Sequence, residues 1–141
     1  MKPVLLRLSL LLLLMSCGSA FAQNLYVNLQ GIKNDTGKIR VGLYSNKEKF
    51  RKEAYALKVI EVPAKAGTVQ VEFTDLQPGW YAIMAYHDED ANGRLNLLLG
   101  MYPTEGYGLS NNPSVFGPPT FEDSAFKMED QNLSINIETR Y

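Results

Sequence analysis

The residues most able to do chemistry lie between positions 87 and 96, in the segment HDEDANGRLN. Oxygen atoms that could bind a cation recur at every second position: Asp88, Asp90, Asn92, the backbone carbonyl of Arg94, and Asn96. This is the spacing of a calcium loop, in which a hard cation takes six to eight oxygen ligands. Gly93 stands where such a loop bends sharply. The segment therefore predicts a Ca²⁺ site.

The position that closes such a loop normally holds a glutamate that binds calcium through both oxygens, and here it holds Leu99. Only a residue from elsewhere, such as Glu105, can complete the ligand set. The alternative is a polar β-turn, in which Asp and Asn side chains accept hydrogen bonds from backbone amides and Asn92-Gly93 makes the bend. The sequence leaves both interpretations open.

His87 is the only histidine of the chain. A hydrolase or lyase would need it to act with Glu105 or Asp90, since neighbouring strand residues point to opposite faces and Asp88 cannot orient it directly. The chain has no second histidine and no Gly-x-Ser-x-Gly motif, so triads and histidine-based zinc sites lack their parts. We therefore expect a structural role for His87 and no catalytic residue.

A second distinctive stretch is EGYGLSNN, at positions 105–112. Its aromatic and polar side chains, with His87, form a candidate binding set: Glu105, Tyr107, Ser110, Asn111 and Asn112. In that interpretation the tyrosine stacks on a sugar or peptide while the amides form hydrogen bonds with it. The alternative is an ordered loop whose tyrosine packs against the end of the domain.

Hydrophobic alternation predicts the elements that position these residues. Seven strand-like segments cover residues 25–30, 39–45, 57–62, 68–73, 80–87, 121–128 and 133–141. No stretch of ten residues has a helical period, so the chain is predicted to be all-β, a seven-stranded antiparallel Greek-key sandwich. Both faces of segment 80–87 are apolar, which is typical of a central strand.

Residues 95–119 are rich in Gly, Pro and Asn and predict a long loop without regular elements. Its apolar residues are expected to fold back against the sandwich: Leu97, Leu98, Leu99, Met101, Tyr102, Tyr107, Leu109 and Phe116.

Residues 1–22 have the pattern of a secretory signal peptide. Lys2 and Arg7 precede an apolar run too short to span a membrane, and Ala20-Phe21-Ala22 predicts cleavage before Gln23. The alternative is a lipoprotein, because Leu14-Met15-Ser16-Cys17 resembles a bacterial lipobox with Cys17 as the lipid anchor. In either case residues 23–141 are predicted to form a single β-sandwich domain that is exported to the periplasm or the exterior.

Composition limits the function of that domain. The one cysteine lies in the leader, which excludes disulfide scaffolds, thiol enzymes and cysteine-ligated zinc from the remainder. Without Lys2 and Arg7 the formal net charge falls from −1 to −3, which argues against nucleic acid as a partner.

Four motifs in order resemble a bacterial exported family, domain of unknown function 2141: LQPGWY at 76–81, HDEDANGRLN at 87–96, EGYGLSNN at 105–112 and PPTFEDSAF at 118–126. Family members typically have Asp at the position of Asn96. The Leu-x-Pro-Gly-x-Tyr motif also resembles prealbumin-like and carboxypeptidase-regulatory-like sandwiches, and that resemblance implies a Greek-key fold. Hydroxyisourate hydrolases of related fold differ, since they have several histidines and end in Tyr-Arg-Gly-Ser.

These observations favour an exported, non-enzymatic binding or accessory module whose partner is an exported protein, a peptide or a glycan. Its only cofactor would be Ca²⁺. The alternatives are a small periplasmic hydrolase or lyase that uses His87, and a structural module of a cell-surface assembly that offers its terminal strand, 133–141, for strand addition.

Overall fold

A computed structural model describes residues 22–141. The predicted leader, with Cys17, lies outside the described residues apart from Ala22. The described part contains ten strands: β1 Gln23–Ile32, β2 Lys38–Tyr44, β3 Lys58–Pro63, β4 Gly67–Leu76, β5 Gly79–Asp88, β6 Leu97–Leu98, β7 Tyr102–Pro103, β8 Tyr107–Leu109, β9 Phe126–Met128 and β10 Leu133–Glu138. Two 3₁₀ turns, Lys47–Lys49 and Glu53–Tyr55, and one helical turn, α1 Phe121–Ser124, accompany them. None of these helices is long and apolar enough to cross a membrane.

The strands form two larger sheets and one small hairpin. One sheet has the order β10-β1-β4, and the other has the order β3-β2-β5-β8, with β9 also paired to β5. All pairs are antiparallel except β1 with β10, which run parallel with Leu25 opposite Leu133. The prediction of an all-β protein is confirmed, whereas the count of seven strands and the wholly antiparallel arrangement are wrong.

One apolar core joins the two larger sheets. Because strand side chains alternate between faces, each long strand contributes one row of buried residues. Representative members are Leu25, Leu29, Val41, Leu43, Phe73, Ile83 and Ile137. Full burial of each such side chain stabilises the fold by about 1.5–3 kcal/mol, so this core holds the sheets together.

The opposite face of β5 is covered as well. A smaller cluster contains Tyr44, Phe50, Ala82, Leu109 and Phe121. Within it the Phe50 ring makes edge-to-face contacts with Tyr44, at 5.2 Å between ring centroids, and with Phe121, at 5.9 Å. The prediction that residues 80–87 form a central strand is confirmed.

The predicted strand 121–128 is half wrong, because its first four residues form α1. Thr120 Oγ1 accepts a hydrogen bond from the N–H of Asp123, and the Asp123 carboxylate accepts one from the N–H of Thr120. This reciprocal capping box starts a helical turn before the chain enters β9.

The expectations for residues 95–119 also need correction. Three short strands, β6, β7 and β8, lie in the segment that was predicted to have no regular elements. Leu109 is buried and Tyr107 half-buried, as expected, but six apolar residues are exposed instead of folding back: Leu97, Leu98, Leu99, Met101, Tyr102 and Phe116. All of these except Phe116 lie in the hairpin of β6 and β7, and they are exposed because these two strands pair with each other rather than with a larger sheet.

Candidate functional site

The site begins where β5 ends, at Asp88. The residue is 1% exposed, and its carboxylate accepts hydrogen bonds from the backbone N–H groups of Asn92 (3.0 Å) and Gly93 (2.8 Å). Gly93 has φ +80°, a left-handed conformation that glycine adopts without steric cost. The turn is therefore folded around the first predicted metal ligand.

Two amide side chains surround the second predicted ligand, Asp90. Its Oδ2 accepts hydrogen bonds from Nδ2 of Asn96 (2.8 Å) and Nδ2 of Asn92 (2.9 Å). These bonds hold the pKa of Asp90 below its usual value, and the bond from Asn96 has the largest effect. Asn92 Oδ1 accepts the N–H of Arg94 (2.9 Å), so the predicted ligands from Asp88 to Asn96 form one connected cluster.

Glu105 reaches this cluster from the other side of the β6–β7 hairpin. Its side chain is buried, and its two oxygens accept the N–H groups of Glu89 and Asn96, each at 2.9 Å. Carboxylate oxygens of Asp88, Asp90 and Glu105 all lie within 4.8 Å of one another. The structure therefore brings the carboxylate that the loop itself lacks to the predicted calcium site.

Within the part of the chain that the structure describes, no ion pair joins this cluster to a basic side chain. The ion pairs found in residues 22–141 join Lys38, Arg40 and Lys127 to Glu53, Glu61 and Glu129. Asp88 and Glu105 are almost completely buried and accept hydrogen bonds from four backbone N–H groups. Buried carboxylates at this separation repel each other, and a divalent cation bound by their free lone pairs would offset that repulsion.

His87 lies beside this cluster but makes different contacts. It is fully buried, with Nε2 2.6 Å from the Thr36 carbonyl and Nδ1 2.7 Å from the Tyr141 hydroxyl. A carbonyl can only accept, so Nε2 carries the hydrogen and, in the neutral ring, Nδ1 accepts from Tyr141. The proposed catalytic partners, Glu105 and Asp90, form their hydrogen bonds elsewhere.

The other predicted binding residues form contacts within the protein. The buried Ser110 hydroxyl accepts from the N–H of Ile83 (2.9 Å) and donates to the Ser124 carbonyl. Asn111 Nδ2 donates to the Ala125 carbonyl (2.7 Å).

Tyr107 exchanges two backbone hydrogen bonds with Arg140. Asn112 accepts the N–H of Glu138 (2.8 Å) and donates to the Asn136 carbonyl (3.1 Å). Residues 105–112 thus join β8 to the strands beside it. Their contacts with residues 136–140 occupy part of the outer edge of β10, which the sequence predicts to add a partner strand.

Sequence reasoning missed several residues that shape the site. Tyr141 and Thr36 hold His87. Gly106 makes room for the Tyr141 ring, because a Cβ there would lie 2.5 Å from it. The Tyr86 hydroxyl lies 3.1 Å from the Gly93 carbonyl and donates to Glu53 (2.7 Å), and burial raises its pKa. No sequence motif marks these contacts, since each joins segments whose relative register only the fold defines.

Comparison with curated proteins and with solved structures gave no match. A sequence model of one bacterial family, described as an uncharacterized protein conserved in bacteria (DUF2141), matches residues 27–136. That match includes β2 to β9, parts of β1 and β10, and every residue of the cluster around Asp88 and Glu105. The chain belongs to the DUF2141 family.

Proposed function

We propose that this protein is an exported, non-enzymatic binding module that binds Ca²⁺ through Asp88, Asp90 and Glu105. The observation that carries the proposal is the position of Glu105, whose buried carboxylate meets the Asp88 loop from outside it. The two facing sheets and the Pro-Gly turn before β5 are consistent with a prealbumin-like Greek-key sandwich as the scaffold.

The ligand chemistry favours calcium over a transition metal. Carboxylates and amide carbonyls are hard oxygen donors, and calcium accepts six to eight of them in flexible geometry. Rotation of the Asn92 and Asn96 amides exchanges an N–H donor for an oxygen ligand, which would add neutral ligands to the three carboxylates. The backbone carbonyl of Arg94 is the remaining predicted ligand.

The contacts of His87 support a non-enzymatic role. Both ring nitrogens are hydrogen-bonded inside the protein, which leaves neither free to take a proton from a substrate. The partner that we propose is an exported protein, a peptide or a glycan, bound at the end of the sandwich that calcium orders.

Thermal melting tests the metal site. A ligand that binds only the folded state adds about 2.7 kcal/mol when its concentration is about 100 times its Kd. For a Kd of about 50 μM, calcium at about 5 mM should therefore raise Tm by several degrees relative to chelator. Asp90→Asn should abolish the increase, because it removes an exposed ligand charge and keeps the shape of the side chain. Asp130→Asn, an exposed substitution outside the loop, is the matched control and should retain it.

An unchanged Tm in calcium would refute the calcium site. An equal increase in Asp90→Asn would place the calcium elsewhere and refute the assignment to this loop.

A further inference from the structure

The hairpin formed by β6 and β7 extends from the site and closes with a tight turn. Met101 N–H donates to the Leu98 carbonyl (3.1 Å), and the two central residues, Leu99 and Gly100, have φ of +53° and +70°. Positive φ at both central positions defines a type I′ turn, which strongly favours Asn-Gly or Gly-Gly. Leucine is therefore an unfavourable residue at this place.

The Leu99 residue is 80% exposed, so burial offsets little of the strain at this position. A residue without a β-carbon, or an asparagine, would make the same turn at lower cost. The strained leucine at the tip is explained if its side chain acts on something outside the protein.

The rest of the hairpin is equally apolar. Its five large apolar side chains are 46–80% exposed: Leu97, Leu98, Leu99, Met101 and Tyr102. Cross-strand pairing places Leu98 opposite Tyr102 and Leu97 opposite Pro103, so both faces of the ribbon are apolar. Residues 95–104 include no charged side chain.

A surface that is apolar on both faces and at its tip needs an occupant that surrounds it. A flat protein partner would cover one face, and strands of two residues are too short to pair with a further strand. The fluid boundary between lipid headgroups and acyl chains can cover every side at once, and it excludes charges, which this segment lacks.

We propose that the tip of this hairpin, residues 97–103, inserts into a lipid bilayer surface. Three residues from Leu97 to the turn span about 10 Å at about 3.3 Å each, which matches the insertion depth of about 5–10 Å for interfacial elements. Tyr102 lies in the strand pair behind the tip, where an amphipathic ring fits the headgroup level.

The base of the hairpin is fixed to the domain. Thr104 N–H donates to the Asn96 carbonyl (2.9 Å), and Asn96 N–H donates to Glu105 (2.9 Å). The apolar tip is formed by the hairpin's own residues and includes no residue of the proposed metal site, so the inference does not depend on the proposed function.

Flotation with vesicles of phosphatidylethanolamine and phosphatidylglycerol tests the proposal, in calcium and in chelator. Every protein is expressed as the full chain with Cys17→Ser, which removes the candidate lipid anchor, and is purified from the soluble fraction. The double variant Leu99→Asn/Met101→Ser should bind at least about tenfold more weakly than the unaltered hairpin, because it removes the two most exposed of its five large apolar side chains, both at the tip. Since asparagine suits the turn, its Tm should be unchanged or higher.

Phe116→Ser is the matched control, because it removes an exposed aromatic side chain elsewhere and should float like the unaltered protein. Flotation that needs calcium but is lost in the double variant would still assign lipid binding to the hairpin. The proposal is overturned if the double variant floats as well as the unaltered protein, or if the unaltered protein floats in neither buffer. It is also overturned if the double variant's only effect is to dissociate a dimer in size-exclusion chromatography, because the occupant would then be a second copy of the chain.

Discussion

Removing one hydroxyl, by Tyr141→Phe, should measurably destabilise the whole domain. The Tyr141 ring packs over Gly106 and lies under the Lys33 ammonium, and phenylalanine keeps both contacts. The change removes the hydrogen bond to Nδ1 of His87, a side chain with 0% exposure, and leaves that acceptor without its partner. The backbone N–H of Lys33, which also donates to this hydroxyl, is exposed and can turn to water.

A buried polar atom left without a hydrogen bond costs about 1–3 kcal/mol. Because the Tyr141 residue is itself half exposed, water can partly replace the hydroxyl, and we expect the lower part of that range, about 1–2 kcal/mol. For a domain of this size that loss lowers Tm by about 3–8 °C.

Urea and thermal unfolding in chelator measure this loss, with Tyr102→Phe as the matched control. Tyr102 is an exposed tyrosine in the hairpin, and its change should move Tm by less than about 1 °C. If Tyr141→Phe behaves like the control, the hydroxyl does not satisfy His87 and the structural role assigned to that histidine is wrong.

Two further predictions follow from buried hydroxyls. Ser110→Ala should destabilise the fold by about 2–4 kcal/mol, because it leaves the Ile83 N–H and the Ser124 carbonyl without this partner. Urea unfolding measures the loss of stability, and a loss no larger than that caused by Ser45→Ala, at an exposed serine, would contradict the prediction. Burial raises the pKa of Tyr44 to about 12, so the neutral form is favoured in the folded state and the free energy of unfolding should fall as the pH rises from about 10 towards 12. Urea unfolding across that range should show a smaller fall for Tyr44→Phe, and identical slopes would refute the assignment.

Patterns along one strand were predictable from the sequence because they depend on local geometry alone. Alternation located every long strand, and apolar residues on both faces of positions 80–87 predicted the central strand. The ligand spacing also showed that the loop lacks its closing carboxylate and needs a residue from elsewhere, such as Glu105. The structure brings the Glu105 carboxylate within 4.8 Å of those of Asp88 and Asp90.

Contacts between distant segments were not predictable from one sequence. Nothing near His87 indicates that Thr36 and Tyr141 flank it, because both lie more than 50 positions away. The exposed hairpin was misjudged for another reason: apolar side chains usually indicate burial, and here two short strands satisfy each other's backbone groups without any core.

The parallel pairing of β1 with β10 has a consequence for folding. β1 has no partner nearby in sequence, since Tyr26 pairs with Glu72 on one side and Ser134 on the other. Tyr26 and Ser134 lie 108 positions apart, whereas Tyr26 and Glu72 lie 46 apart and Lys38 and Asp88, which join β2 to β5, lie 50 apart. Loop-closure entropy therefore opposes the pairing of β10 most, and we expect β10 to dock last. Until it does, one edge of β1 lacks its partner strand, and an unpaired edge is prone to aggregation. A partner or chaperone that covers this edge of β1 would protect the chain during that interval.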